Sequence, residues 1–284
     1  MSTCGQLLKA AAERLSVLDY SDPVLEAREL LGLVLGKDCR SIEFEAVLPQ
    51  QAEEETATRL DELIRRRLDG EPLQYILGEW DFYGLRFFVG RGVLIPRLDT
   101  ELIVELALKL YKNSDSLRIL DLCAGSGCIG LALENRLTDA QLTLVENSPD
   151  ALRYLEKNRK SLASKAEIVN GDVCSEELAA KFFDQDLIVC NPPYLTAEDM
   201  RCLQTEVRAE PEEALFGGED GLHFYRTVTR LWKDSLKQGG TLLFEVGASQ
   251  AEEVTEIMIQ HGFRDVRRHR DLAGNYRAVI GSKR

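Results

Sequence analysis

Basic residues are in short supply in this chain: 284 residues carry 35 Lys and Arg against 48 Asp and Glu, a formal net charge of −13. Gripping long stretches of nucleic-acid backbone depends on neutralising phosphates with Lys and Arg, so the balance speaks against that class of protein. Two short basic runs, 64–68 and 264–270, read as solvated faces or at most local patches. Also missing is any apolar run near the ~20 residues that cross a bilayer. The first 18 residues carry charges through a helical pattern and lack a signal-peptide core, so they read as mature structure. The cysteines are Cys4, Cys39, Cys123, Cys128, Cys174, Cys190 and Cys202, an odd seven with no C-x-x-C pair. That count speaks against a disulfide framework or a zinc site and points to a reducing, cytoplasmic setting. No metal, no membrane and no stable nucleic-acid partner are expected. Internal repeats and low-complexity segments are absent too.

What is present is an ordinary globular composition, 44% apolar and 29% charged, in three stretches of different character. Residues 1–74 read as a small all-helical domain. Within it Asp22-Pro23 supplies an N-cap and a first-turn proline for a helix over 24–36. The stretch 53–70 begins acidic, ends basic and stops at Gly70, as a helix dipole and C-cap favour. Residues 75–96, rich in aromatic and β-branched residues and punctuated by Gly84, Gly90 and Gly92, predict a hairpin connector. From 97 to 284, after a helix over 99–111, strand and helix alternate. Strands are predicted at 117–122, 141–146, 166–170, 186–190, 240–246, 264–272 and 276–281, and helices at 128–137, 150–162 and 224–236. Repeated βα units with apolar strands imply an α/β fold, a Rossmann-like doubly wound and mainly parallel sheet.

The first strand of that region runs into "DLCAGSGCIG" (121–130), which opens a helix. Gly125 and Gly127 let a backbone pass close to a ligand, Gly130 lets the helix lie near the strand, and Glu146 ends the next strand 21 residues after Gly125. A carboxylate there can accept hydrogen bonds from both hydroxyls of a ribose, so an adenosine-type cofactor is favoured over none. Dinucleotides would set a pyrophosphate on the helix N-terminus. Asp121, directly before the loop, opposes a pyrophosphate and suits an ammonium or a network that orients the loop. S-adenosylmethionine (AdoMet), which has no phosphate, is therefore preferred. Asp172 of "NGDV" (170–173) offers an acceptor for an adenine amino group, or else makes an Asx turn.

The fourth strand stops against Asn191-Pro192-Pro193-Tyr194. Two prolines fix φ and remove backbone donors, which a central strand does not tolerate. In a doubly wound sheet this strand end lies beside the cofactor of the first two. Asn191 supplies a side-chain carbonyl, Pro192 a backbone carbonyl with no competing N–H, and Tyr194 a flat π-face that also suits a cationic sulfonium. Together they can pin a planar NH₂ group through both its protons. An amide nitrogen is a poor nucleophile and no ordinary base deprotonates it, so orientation must supply much of the rate.

These residues resemble the class I AdoMet-dependent methyltransferases with an N-P-P-Y motif, and within them the peptide chain release factor N5-glutamine methyltransferases. The likeness runs through "GEPLQYILGEWDFYGL" (70–85), "VLIPRLDTE" (93–101), "DLCAGSGCIGLAL" (121–133), "NSPDAL" (147–152), "NPPY" (191–194), "EPEEALFGGEDGL" (210–222) and "FEVG" (244–247). It implies a small helical domain, a hairpin connector and a methyltransferase domain. It further implies methylation of the glutamine in the Gly-Gly-Gln loop of class I release factors, an activity of translation termination. By the same resemblance Cys123, Ala124, Gly125, Ser126, Gly127, Glu146, Asp172, Val173 and Asn191 bind AdoMet, Asn191 to Tyr194 bind the target glutamine, and 93–101 closes over the site. The chain departs from the family pattern at Leu98, where proline is usual, and at Glu146-Asn147, where Asp-Ile is usual.

Three rival readings differ in what they need. A ribosomal-protein glutamine methyltransferase would use the same chemistry with another docking surface. A DNA adenine-N6 methyltransferase would need a base-reading domain, which the acidic helical stretch does not resemble. An NAD-dependent dehydrogenase would satisfy the glycine loop but leave N-P-P-Y without a role.

Overall fold

Local sequence signals set the ends of the first helices. In the computed structural model, which describes residues 2–18, 21–48 and 51–284, α1 (Cys4–Leu15) opens with a Thr3–Gln6 capping box. The side chain of Asp22 accepts from the amides of Val24 and Leu25 to start α2 (Pro23–Leu35), which Gly36 ends in the left-handed region. After α3 (Cys39–Val47), α4 (Glu54–Leu68) carries Glu54 and Glu55 in its first turn and Arg65, Arg66 and Arg67 in its last. The chain divides into two units, residues 1–79 with 205–209, and 80–204 with 210–284. The sequence reading began a connector at residue 75. Tyr75-Ile76-Leu77 instead complete a short helix, α5 (Leu73–Leu77), because Leu73, Tyr75 and Ile76 are buried.

The first unit packs Ala11, Leu15, Ala27, Leu30, Leu31, Ile42, Leu60 and Ile64 into its interior. Among them sits a charge. The guanidinium of Arg67, 2% exposed, donates to both carboxylate oxygens of Glu26 at 2.8 and 3.0 Å and lies 2.9 Å from Glu206. Residues 205–209, distant in sequence, are thereby anchored within this unit.

A hairpin follows, β1 (Glu79–Phe82) and β2 (Leu85–Phe88), turned through Tyr83 and Gly84, both at positive φ, and all of it but Glu79 belongs to the second unit. Helix α6 (Glu101–Leu110) follows, then β3 (Arg118–Leu122), α7 (Cys128–Arg136), β4 (Gln141–Glu146), α8 (Pro149–Ser161), β5 (Glu167–Asn170) and α9 (Glu176–Ala179). The chain continues through β6 (Gln185–Cys190), α10 (Ala197–Arg201), α11 (His223–Leu231), β7 (Leu236–Glu245), α12 (Ala251–Gln260), β8 (Phe263–Arg270) and β9 (Tyr276–Lys283). The helix expected to reach 236 ends at Leu231, where Trp232 turns inward and its indole donates to the Val173 carbonyl at 2.8 Å. Strand β7 accordingly starts at Leu236, paired with Gln185, and not at 240.

The seven strands lie in the order β5-β4-β3-β6-β7-β9-β8, and β9 alone runs against the others. Alternate residues feed two cores. Ile119, Leu142, Leu144, Leu187 and Val189 face α6, α7 and α8. Leu120, Val145, Ile188, Cys190 and Phe244 face α11 and α12. Burial on both faces is why these strands read as continuous apolar runs. The winding reverses at β3, with β4 on one side and β6 on the other, which opens a crevice at their carboxyl ends.

Candidate active site

A cavity of about 530 Å³ occupies that crevice, within the range of small-molecule sites. The loop after β3 forms its floor. Ala124 donates its amide to the Val145 carbonyl at 3.0 Å and Gly127 donates to Ala124 at 2.7 Å, while Asn158, fully buried, donates its side-chain amide to the Ser126 carbonyl at 2.9 Å. Asp121 lies behind the loop, where its Oδ2 accepts from the Gly130 amide at 2.8 Å. A Cβ at Gly130 would meet Leu144 at 2.6 Å and that Asp121 oxygen at 2.9 Å, so only glycine lets α7 start this close to the sheet. Burial lifts the Asp121 carboxyl to about 7, against the lowering effect of the Gly130 hydrogen bond. The Gly130 contact engages Oδ2 in orienting the loop, while Oδ1 is buried with no hydrogen-bond partner among the described residues.

Glu146 is engaged by its own backbone. One carboxylate oxygen accepts from the Gly125 amide at 2.7 Å and the other from Asn147 and Ser148 at 2.9 and 2.8 Å. A carboxylate offers about four acceptor positions, so a ligand reaching it meets a side chain already held in place with roughly one position left. Asp172 closes an Asx turn, accepting from the Cys174 amide at 2.8 Å, and lines the cavity as well. The Asx turn is thus formed at the cavity's edge.

Strand β6 is buried along its whole length and delivers Asn191 to the cavity wall next to this loop. The segment after it is braced from two sides. The Leu195 amide donates to Leu215 and the Gly217 amide to Leu195, both at 2.8 Å, while the Gln250 side chain donates to the Tyr194 carbonyl at 2.8 Å. A Cβ at Gly217 would lie 2.7 Å from the Pro193 oxygen, which is why the 210–222 segment needs glycine there. The Tyr194 ring packs into the second core cluster, and burial together with the nearby Glu245 carboxylate pushes its hydroxyl up to about 12. Glu245 is buried at the end of β7, its carboxyl raised to about 7 by burial against the pull of Arg277.

The far wall is made by residues 92–97 and 211–216. Glu210, buried, ties them together by accepting from the Ile95 amide at 3.0 Å and pairing with Arg97. Leu98 is 76% exposed and opens a 3-10 turn ahead of α6, so its difference from proline falls on a solvent-facing position. Asn147 lines the cavity.

Of the residues singled out from sequence, Cys123, Ala124, Gly125, Ser126, Glu146, Asp172, Val173, Asn191 and Pro193 line this one cavity. Gly127, Pro192 and Tyr194 do not: Gly127 caps α7, Pro192 is buried, and Tyr194 faces the core.

The chain matches the Methyltransferase small domain over residues 99–216 and the PrmC N-terminal domain over 6–78. It is 42% identical over 258 residues to the release factor glutamine methyltransferase of Geobacter sulfurreducens, covering 90% of this chain and 88% of that protein. The same-named protein of Koribacter versatilis is 36% identical over 283 residues, 99% of both chains. The chain belongs to the release factor glutamine methyltransferase family.

The fold of the catalytic unit recurs beyond that family. A methyltransferase from Pyrococcus furiosus superposes with a TM-score of 0.54 at 17% identity, over 71% of this chain and 90% of that one. A 16S rRNA N2 G1207 methyltransferase from T. thermophilus, solved with AdoMet and guanosine, gives 0.51 at 17% identity, over 72% and 50%.

Three residues of this glutamine methyltransferase were missed in its sequence: Asn158 under the glycine loop, Gln250 behind Tyr194, and Glu210 across the far wall. Glu210 opens a quoted motif, so its signal was there without a partner to interpret it. Asn158 sits in a helical pattern that marks it as a surface polar residue, Gln250 lies outside every element read from the sequence, and their contacts span 32 and 56 residues.

Proposed function

We propose that the enzyme transfers the methyl group of AdoMet to the side-chain amide nitrogen (N5) of the glutamine in the Gly-Gly-Gln loop of class I release factors. One observation carries the reading: Asn191, at the end of β6, shares a single cavity with the glycine loop and Glu146 on the neighbouring strands. A cofactor donor and an amide acceptor therefore meet without further rearrangement of the sheet.

The lining suits AdoMet. Glu146, Asp172, Glu212 and Glu213 stand there against one cation, Arg97, which Glu210 already pairs. Such a surface opposes a pyrophosphate and favours a phosphate-free cation. AdoMet, when bound, supplies a methyl group on a positively charged sulfur. Residues 123–127 hold its amino-acid end, Glu146 its ribose, and Asp172 with Val173 its adenine. Asn191 and the Pro192 carbonyl orient the glutamine NH₂, and Tyr194 backs the clamp. The amide proton leaves to water once the nitrogen has gained the methyl group. The helical domain docks the release factor.

The test is labelled methyl transfer from AdoMet to a purified class I release factor, with the Gln→Ala variant of its Gly-Gly-Gln loop, ribosomal proteins and duplex DNA alongside. Label in the intact factor alone is expected; label elsewhere would keep the clamp and change the substrate. Glu146→Ala is expected to weaken AdoMet binding by roughly 1.5–3 kcal/mol, the range for hydrogen bonds to a charged group. Calorimetry showing unchanged affinity would remove the ribose assignment.

A further inference from the structure

The basic run 264–270 was left without a role, and it forms most of β8, an edge of the sheet. Arg264, Arg267, Arg268 and Arg270 are all exposed. Among the described residues none of the four has a carboxylate within ion-pairing distance, although the chain carries 13 more acids than bases. Arg268 and Arg270 both lie over one ring, that of Tyr276, at 5.0 and 3.8 Å. Both cations gain from that ring, and Arg270 also donates to the Gly274 carbonyl, so the two guanidinium groups are held at the strand's end with no anionic partner among the described residues. On the alternate positions, His269 is held below its usual range by burial and by the cations of Arg267 and Lys109. Nearby acids do little to offset this: Asp265 is exposed in the same strand, and Asp271 faces Arg277 at 3.6 Å.

The strand's position gives this charge a direction. Arg270 pairs with Tyr276 and His269 with Ala278, while Ala278 pairs across β9 with Glu245. The arginine-rich end of β8 therefore lies at the same end of the sheet as Glu245 and Asn191, where the cavity opens. Arg277, the next residue of β9, reaches Asp99 at 3.1 Å, just beyond the 92–97 wall.

We infer that the outer edge of β8 is a docking surface for an acidic face of the protein substrate, with Arg264, Arg267, Arg268 and Arg270 taking its carboxylates. The inference rests on the release-factor reading and extends it to how the substrate approaches. A folded protein fits better than RNA. Four guanidinium groups spread over about 20 Å of strand match separate carboxylates, each able to take a bidentate pair, and the surrounding net negative charge opposes a continuous phosphate track.

The experiment compares wild-type enzyme with three sets of substitutions at Arg267, Arg268 and Arg270: all Gln, all Glu and all Lys. Each is titrated with full-length class I release factor at low and high salt, and methyl transfer is followed separately. Expected are an affinity about tenfold lower for the Gln set, a larger loss for Glu, recovery with Lys, and a flatter salt dependence for Gln. KM should rise with kcat little changed. Unchanged affinity and salt slope in the Gln set would overturn the inference. So would a loss confined to RNA binding, or unchanged affinity with new higher-order species on gel filtration, which would make the arginines guards of an open strand edge. Should wild-type enzyme bind the release factor yet leave it unlabelled, the functional reading fails while the titration still decides the docking surface.

Discussion

Asn191→Ala should slow methyl transfer by about a hundred- to a thousandfold and change AdoMet affinity far less. The effect is one of positioning. The target amide nitrogen has its lone pair delocalised, and no base near the cavity has the strength to deprotonate it. What the protein can do is hold the NH₂ in line with the methyl donor. Misplacing a reacting group by an ångström costs on the order of a hundredfold, and deleting one preorganised polar contact at a reacting centre costs about a hundred- to a thousandfold. Asn191 stands at the end of a wholly buried strand, next to a segment held by Leu215, Gly217 and Gln250, so its amide starts with little freedom to lose. Single-turnover methyl transfer together with AdoMet titration checks this. Activity within a few-fold of wild type would remove the clamp, and a parallel loss of AdoMet affinity would move Asn191 from the substrate to the cofactor.

The largest effect on stability belongs to the helical unit. Arg67→Ala should destabilise it by about 3–5 kcal/mol, the usual cost of removing one partner from a buried ion pair. Arg67 is 2% exposed and faces two carboxylates, of which Glu26 is 8% and Glu206 26% exposed. Without the guanidinium both lose their counter-charge, and Glu26, 8% exposed, has little water to replace it. The loss also frees residues 205–209, which Glu206 ties into this unit. The apolar pair Arg67→Met with Glu26→Leu should recover most of the difference, because it removes the buried charge together with its buried partner and leaves only Glu206, which is 26% exposed. Urea unfolding followed by circular dichroism gives the comparison. A single variant as stable as wild type would show that Arg67 contributes little beyond its aliphatic stem.

Much of the site was legible in sequence because its chemistry is local. A glycine loop between strand and helix, an acid at the end of the next strand and two prolines after a buried strand each act through neighbours a few residues away. Nine of the residues read as site-forming line one cavity. Gly127, Pro192 and Tyr194 stand outside that lining, Gly127 as the cap of α7, Pro192 buried and Tyr194 packed against the core. Nothing local distinguishes a tyrosine that stacks on a ligand from one that packs beneath it, since both follow the same strand end.

The order of the sheet's strands along the chain, the doubly wound class and the placing of a glycine loop and Asn-Pro-Pro-Tyr at strand ends were determined by the sequence alone, through period, capping and backbone restriction, whereas α5, α9, α10 and α12 were not read from it. Tertiary structure decided the rest. It assigned three backbone amides to Glu146, set Glu210 across the cavity wall, put Gln250 behind Tyr194, and carried 205–209 into the helical unit beside Arg67. Each of these is a hydrogen bond or ion pair between groups far apart in the chain. Such a contact forms where packing brings two polar groups together out of water, and no pattern along the chain records which two those are.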